Sequence, residues 1–180
     1  MSSQPTSTRA VAAHRHNTIW STEGSLWRDA VVKSPRNGCA IMNYALALDA
    51  GGDPRRAIAW LNRASIYAPY YARINLNPGA IYGKLNDTDE AERHFRRALR
   101  LVPNDADCRT VCARWLVRQE RFGEALQHLQ FVTSTNPDIL EARILLMAAA
   151  VKQSRGTHVA AIAHGILDRF PGDPDARAWR

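Results

Sequence analysis

The sequence predicts an all-α fold, a right-handed α-solenoid of stacked helix–turn–helix units, each about 34 residues long. Two observations carry this. First, Pro35, Pro69, Pro103, Pro137 and Pro171 recur at one constant interval. A fixed period of roughly 20–50 residues marks supersecondary units that bury their apolar faces against one another. Second, small and large residues keep the same interval. Eight residues before the prolines stand Trp27, Leu61, Phe95, Leu129 and the smaller Ala163, and five before stand Ala30, Ala64, Ala98, Val132 and Ile166. Ala57, Ala91 and Ala125 lie twelve before, with Val159 in the last unit. Further upstream, Ala45, Gly79, Ala113 and the bulky Met147 share one position, and Leu48, Tyr82, Leu116 and Ala150 another. Two helices of a hairpin approach closely where residues are small and interlock where they are large.

In chain order, residues 1–20 begin Ser/Thr/Gln/Pro-rich and read as a disordered or irregular segment. Residues 21–35 form a lone helix that caps the array, with Leu26, Trp27, Ala30 and Val31 on one face. Four units follow, 36–69, 70–103, 104–137 and 138–171. Their helical pairs are expected at 38–51 and 54–67, 72–84 and 88–101, 106–119 and 122–135, and 139–153 and 157–169. Breakers separate the paired helices: Gly51-Gly52-Asp53-Pro54, Asn86-Asp87 and Arg155-Gly156. Pro54 suits a first helical position, where its missing N–H is no loss. Asp89 and Glu90 suit a first turn, where the helix dipole favours acids. Residues 172–180 begin a fifth unit that stops before its first helix is complete. The last full helix offers Ile162, Ile166, Leu167 and Phe170, an apolar edge that predicts self-association or a covering partner.

Pro78 breaks the pattern. It falls midway through an expected first helix, where interior proline costs about 3 kcal/mol. It predicts a kink or a restart, with Asn77 as N-cap.

The chain carries 24 basic and 17 acidic residues, a formal charge of +7. Only Lys33, Lys84 and Lys152 are lysines. The excess favours acidic partners. Nucleic acid is not the expected partner, because the arginines are spread along the chain without a recognised motif. Cys39, Cys108 and Cys112 fit neither a disulfide framework nor a zinc site. The last two read as small semi-buried apolar residues. Arg55, Arg56, Arg93, Arg96 and Arg97, with His94 and His128, read as a solvated outer face of second helices. No catalytic constellation, cofactor motif or metal pattern is present, so the expectation is not an enzyme, without cofactors. No apolar run reaches the ~20 residues of a membrane span. No secretory signal is visible, which makes the cytoplasm the default expectation.

The shared period, the prolines and the small/large positions resemble the tetratricopeptide repeat family from about Gly24 to Phe170. The resemblance implies ligand binding on a concave face lined by the first helix of each pair. Carried over residue by residue, it places Cys39, Met42, Asn43, Leu46 and Asp49 there in the first unit. The second contributes Arg73, Leu76, Asn77, Ala80 and Lys84. The third contributes Asp107, Thr110, Arg114 and Arg118, and the fourth Glu141, Ile144, Ala148 and Lys152. Asn43 and Asn77 stand where some family members carry an asparagine ladder, whose amides can donate to and accept from an extended peptide backbone. Asparagine bonded within the solenoid is the competing reading. The chaperone-binding carboxylate clamp is not reproduced.

Arg15-His16-Asn17, Trp20 and Ser25-Leu26-Trp27-Arg28-Asp29-Ala30 resemble a junction in bacterial multi-pass, glycosyltransferase-like membrane proteins that carry soluble tetratricopeptide tails. That likeness implies a tail module, and places the alternative location on the periplasmic side beside a membrane protein. The expected function is a protein-interaction module holding an extended peptide, with acidic side chains or a free carboxylate, at Asn43, Leu46, Arg73, Asn77, Lys84, Thr110, Arg114, Arg118 and Lys152; internal pairing of the groove arginines with Asp107 and Glu141, leaving a neutral groove, is the competing reading. The alternative is an accessory domain of a membrane glycosyltransferase system, positioning a protein substrate or subunit.

Overall fold

The structure, a computed structural model, describes residues 22–153. These form eight α-helices: α1 Glu23–Lys33, α2 Gly38–Ala50, α3 Pro54–Tyr67, α4 Ala72–Lys84, α5 Thr88–Leu101, α6 Ala106–Arg118, α7 Phe122–Thr135 and α8 Leu140–Lys152. The expected apolar edge at Ile162–Phe170 and the start of a fifth unit lie outside the described residues. So does the junction segment Arg15–Trp20. No helix among the described residues is long and apolar enough to cross a membrane.

Local chemistry fixes the helix starts. Thr22 and Ser25 form a reciprocal capping box at α1. Asn37 caps α2, Asp53 α3, Asp87 α5 and Asp105 α6, each side-chain oxygen accepting from the N–H three residues on. The turns inside the pairs close alike. Gly52, Asn86 and Glu120, equivalent positions in successive units, have φ of 85°, 60° and 57°. The following N–H then reaches back to Leu48, Tyr82 or Leu116. Glycine and asparagine tolerate this left-handed conformation; glutamate at 120 is strained.

The pairs α2/α3, α4/α5 and α6/α7 pack as antiparallel hairpins, and the first helices α2, α4, α6 and α8 also touch one another in succession. Fully buried Ala57, Ala91 and Ala125, with Leu61, Phe95 and Leu129, form the centre of each pair. The core has two clusters, one around Ile41, Ala45, Leu61 and Ile81, the other around Phe95, Trp115, Leu116 and Leu129. Helix α4 contributes to both, and Tyr82 packs against both.

Helix α4 is also where the sequence reading needs correction. It runs unbroken from Ala72 to Lys84 with Pro78 inside it, and its N-cap is Tyr71. Asn77 therefore caps nothing. Proline has no N–H for the carbonyl of Ile74. Packing offsets that loss, because Ile74, Asn75, Leu76, Pro78, Gly79 and Ile81 are all buried. Two glycines make the fit possible. A Cβ at Gly79 would lie 3.0 Å from the Phe95 ring, and one at Gly83 2.6 Å from Trp115. The two rings pack together at 5.1 Å in the space so created.

Candidate functional site

The face lined by α2, α4, α6 and α8 carries the expected residues, yet few of its charges stand alone. Arg73 on α4 donates to Asp107 on α6 at 2.8 Å. Lys84 at the end of α4 donates to Asp49 at the end of α2 at 2.6 Å. Arg114 on α6 donates through Nε to Glu141 on α8 at 2.6 Å. Each pair joins one first helix to the next. Asp49, Asp107 and Glu141 are the three acids expected on this face, and all are engaged. The pairs are mostly exposed, with Arg73 and Asp107 at 56% and 64%. Such pairs contribute about 0–1 kcal/mol each, so an anionic ligand can compete for the cations.

Between α4, α6 and the start of α8 lies a depression of about 220 Å³ bordered by Arg73, Asn77, Asp107, Arg114 and Glu141. Leu76, Thr110, Val111 and Ile139 complete it. Asn77 is half-buried there, and Asn43 is half-buried at the equivalent place on α2. Neither amide has a hydrogen-bond partner among the described residues. An asparagine used within the scaffold would be engaged, so both amides remain able to meet a main chain. Thr110 differs from expectation. It is 4% exposed and its hydroxyl donates to the Ala106 carbonyl at 2.8 Å, so it offers a ligand little. Met42 and Leu76 are likewise buried at 6% and 5%, whereas Leu46 is half-buried and Cys39 exposed.

Arg118 and Lys152 are exposed and have no ion-pair partner among the described residues. Both border a second cavity, of about 530 Å³, between α6, the start of α7 and α8. The sequence reading missed its apolar floor, because Phe122, Met147 and Val151 look like ordinary core positions and only the packing leaves them facing a space.

The outer face corrects a further expectation. His94 is not solvated: it is 7% exposed and stacks on Tyr82 at 5.6 Å. Burial, helped by Arg93, pushes its pKa below the usual imidazole value. His128 is half-buried, and burial with nearby Arg109 lowers it too. Arg109 stands over the Phe131 ring at 3.9 Å and donates to the Pro103 carbonyl at 2.7 Å, tying a unit to the turn that precedes it. Arg121 bridges Glu124 and Glu92 at 2.7 and 2.8 Å and holds both carboxyls low. Cys108 and Cys112 are buried, and burial pushes each thiol up to about 12, so neither is a ready nucleophile.

No protein-family model and no curated protein matches the sequence. The fold itself has many likenesses among solved structures. YrrB, described as a TPR protein with an unusual peptide-binding site, superposes with a TM-score of 0.68 at 22% identity, over 83% of this chain and 77% of its own. MamA superposes with a TM-score of 0.69 at 14% identity, over 87% and 86%. A tetratricopeptide repeat protein from Parabacteroides merdae gives 0.72 at 16% identity, over 96% and 68%. The chain has the tetratricopeptide solenoid fold.

Proposed function

We propose that this chain is a non-enzymatic protein-interaction module that holds an extended segment of a partner along the face of α2, α4, α6 and α8. The observation that carries this reading is the pair of unengaged amides, Asn43 and Asn77, at equivalent positions of successive first helices. They bond the partner's main chain, while Arg73, Lys84 and Arg114 exchange their internal carboxylates for acidic groups of the ligand. Leu46 supplies apolar contact beside Asn43. The face is preformed on rigid helices, so little ordering opposes binding. The peptide-binding site attributed to YrrB, on the same fold, is in keeping with this use.

The test is a pull-down from native lysate, read by mass spectrometry, with the natural chain and with Asn43→Ala/Asn77→Ala. The double variant should keep its melting temperature and lose the partner. Retention of the partner by the folded variant rejects the role of the amides. The second reading, an accessory domain of a membrane glycosyltransferase system, is favoured only by the junction-like residues Arg15–Asn17, Trp20 and Ser25–Ala30. Recovery of a multi-pass membrane protein would support it; recovery of soluble partners alone would remove it.

A further inference from the structure

The turns that join one unit to the next lie along one edge of the solenoid, where α1, α3 and α5 end and α2, α4 and α6 begin. Neighbouring turns touch: Arg63 on α3 donates to the Pro35 carbonyl at 3.5 Å, and a Cβ at Gly38 would lie 2.8 Å from that of Ala68. One turn differs from its equivalents. Ile66, Tyr67, Tyr70 and Tyr71 are all exposed, Ile66 at 73% and Tyr70 at 84%. Where this turn has Tyr70, the turns on either side have Arg36 and Asn104. Where it has Tyr71, they have Asn37 and Asp105, whose side chains cap α2 and α6. Tyr71 leaves α4 without a side-chain cap, a stabilising contact forgone. Ile139, the fourth equivalent, caps nothing either, but it packs against the core. Tyr71 stays exposed, so packing does not explain it. Val32, at the repeat position of Ile66, is 74% exposed and carries the apolar strip into the preceding unit.

Cations flank the strip. Lys33 and Arg36 stand at the turn before it, and Arg97 and Arg100 on the last turns of α5 after it, all exposed. Arg36, Arg97 and Arg100 have no carboxylate partner among the described residues. The nearby acids are engaged: Asp29 by Lys33, Asp107 by Arg73, and Asp105 by the N–H of Cys108. We propose that this edge docks on an anionic lipid bilayer. Ile66, Tyr67 and Tyr70 enter the boundary between headgroups and acyl chains, and Arg36, Arg97 and Arg100 meet the lipid phosphates. Three observations select this occupant. The side chains project from the tip of a turn instead of lining a groove, which suits a deformable surface. Tyrosine has an apolar ring and a polar hydroxyl, matching a boundary that is apolar on one side and wet on the other. Exposed Ile66 and Val32 are aliphatic and offer no ring on which a nucleic-acid base could stack. Shallow apolar insertion and a basic cluster together hold a protein on a bilayer better than either signal does alone. The edge lies at the starts of the first helices, whereas Asn43 and Asn77 sit midway along them. Docking therefore leaves the groove open, and the proposal stands independently of it.

The full chain is floated through a density gradient with vesicles of phosphatidylcholine alone, or with roughly one-third phosphatidylglycerol. It should bind the anionic vesicles about ten-fold or more tightly than the neutral ones, and ~0.5 M salt should weaken that binding. Ile66→Ser/Tyr70→Ser should keep its melting temperature, because both side chains are exposed, and bind anionic vesicles about ten-fold more weakly. Arg97→Gln/Arg100→Gln should lower affinity for anionic vesicles about ten-fold and leave affinity for phosphatidylcholine unchanged. Arg55→Gln/Arg56→Gln removes the same charge from the opposite edge, at the start of α3, and should leave both affinities unchanged. No binding to anionic vesicles overturns the proposal. So does an equal loss in the two arginine variants, or full binding by Ile66→Ser/Tyr70→Ser, since net charge alone would then account for the attraction. A chain that is dimeric in light scattering and becomes monomeric on Ile66→Ser/Tyr70→Ser overturns it in favour of a second copy. Fluorescent poly-uridylate that binds the natural chain and is released by the same variant overturns it in favour of single-stranded nucleic acid.

Discussion

The two ends of the same helical face treat the same charge differently. At the end of α4, Lys84 is spent on Asp49; at the ends of α6 and α8, Arg118 and Lys152 stand exposed over an apolar cavity. The three cations are equivalent in the repeat, so the repeat position does not decide what they do. The neighbouring unit does. An acid at position 49 closes the first site. Glycine at 83 and valine at 117 leave the next two open. In a solenoid every unit is completed by its neighbours, and this holds for charge as much as for packing.

The largest effect is expected at Gly83, where the comparison is built. Gly83→Ala forces a methyl to within 2.6 Å of the Trp115 ring. Overpacking of this kind costs about 1–3 kcal/mol. Thermal unfolding followed by circular dichroism should show the loss; an unchanged melting temperature would mean that Trp115 can move, and that steric exclusion is not why position 83 lacks an acid.

Pro78 comes next, on the same helix. Pro78→Ala returns an N–H to the Ile74 carbonyl, and we expect a gain of about 1–2 kcal/mol after the lost chain stiffness is deducted. A lower melting temperature in chemical or thermal unfolding would show that the buried ring packs better than the restored hydrogen bond binds.

Acid separates the scaffold from the groove. His94 and His128 titrate below the ordinary value of 6.5 because burial disfavours their charged form. The unfolded chain therefore binds more protons once the pH falls below about 6.5, and stability falls with it until the folded histidines also charge. Glu90 and Arg93 face His94; Glu124 and Arg109 face His128. The melting temperature should be level above pH 7 and decline below 6.5, with a smaller decline in His94→Phe. A flat profile across pH 5–7 in the natural chain would contradict the burial of both rings.

The smallest effect is at Asp49. Asp49→Asn should change stability by less than about 1 kcal/mol, because the pair with Lys84 is partly exposed. It should nonetheless make the first rung resemble the later ones and raise affinity for acidic peptides, measured by fluorescence anisotropy. Unchanged affinity would show that Lys84 lies off the ligand's path.

The fold was legible because packing periodicity is written in residue size: Ala57, Ala91 and Ala125 and the bulky Leu61, Phe95 and Leu129 recur with the prolines. The site was half legible. Repeat register put Arg73, Arg114, Asp107 and Glu141 on one face, but not which cation meets which acid, since that depends on contacts across units. Thr110 carried no signal that its hydroxyl turns back to Ala106. His94 read as solvated because its neighbours Arg93, Arg96 and Arg97 are charged; its ring turns inward onto Tyr82. Pro78 misled because local propensity argues for a break, whereas burial on both sides of α4 holds the helix together.

The most direct test of the central claim is hydrogen–deuterium exchange of the full chain with and without the partner recovered by pull-down. The account predicts added protection in α2, α4, α6 and α8, centred on Asn43, Asn77 and Arg114, with α3, α5 and α7 unchanged. Protection confined to α3, α5 and α7 would contradict it.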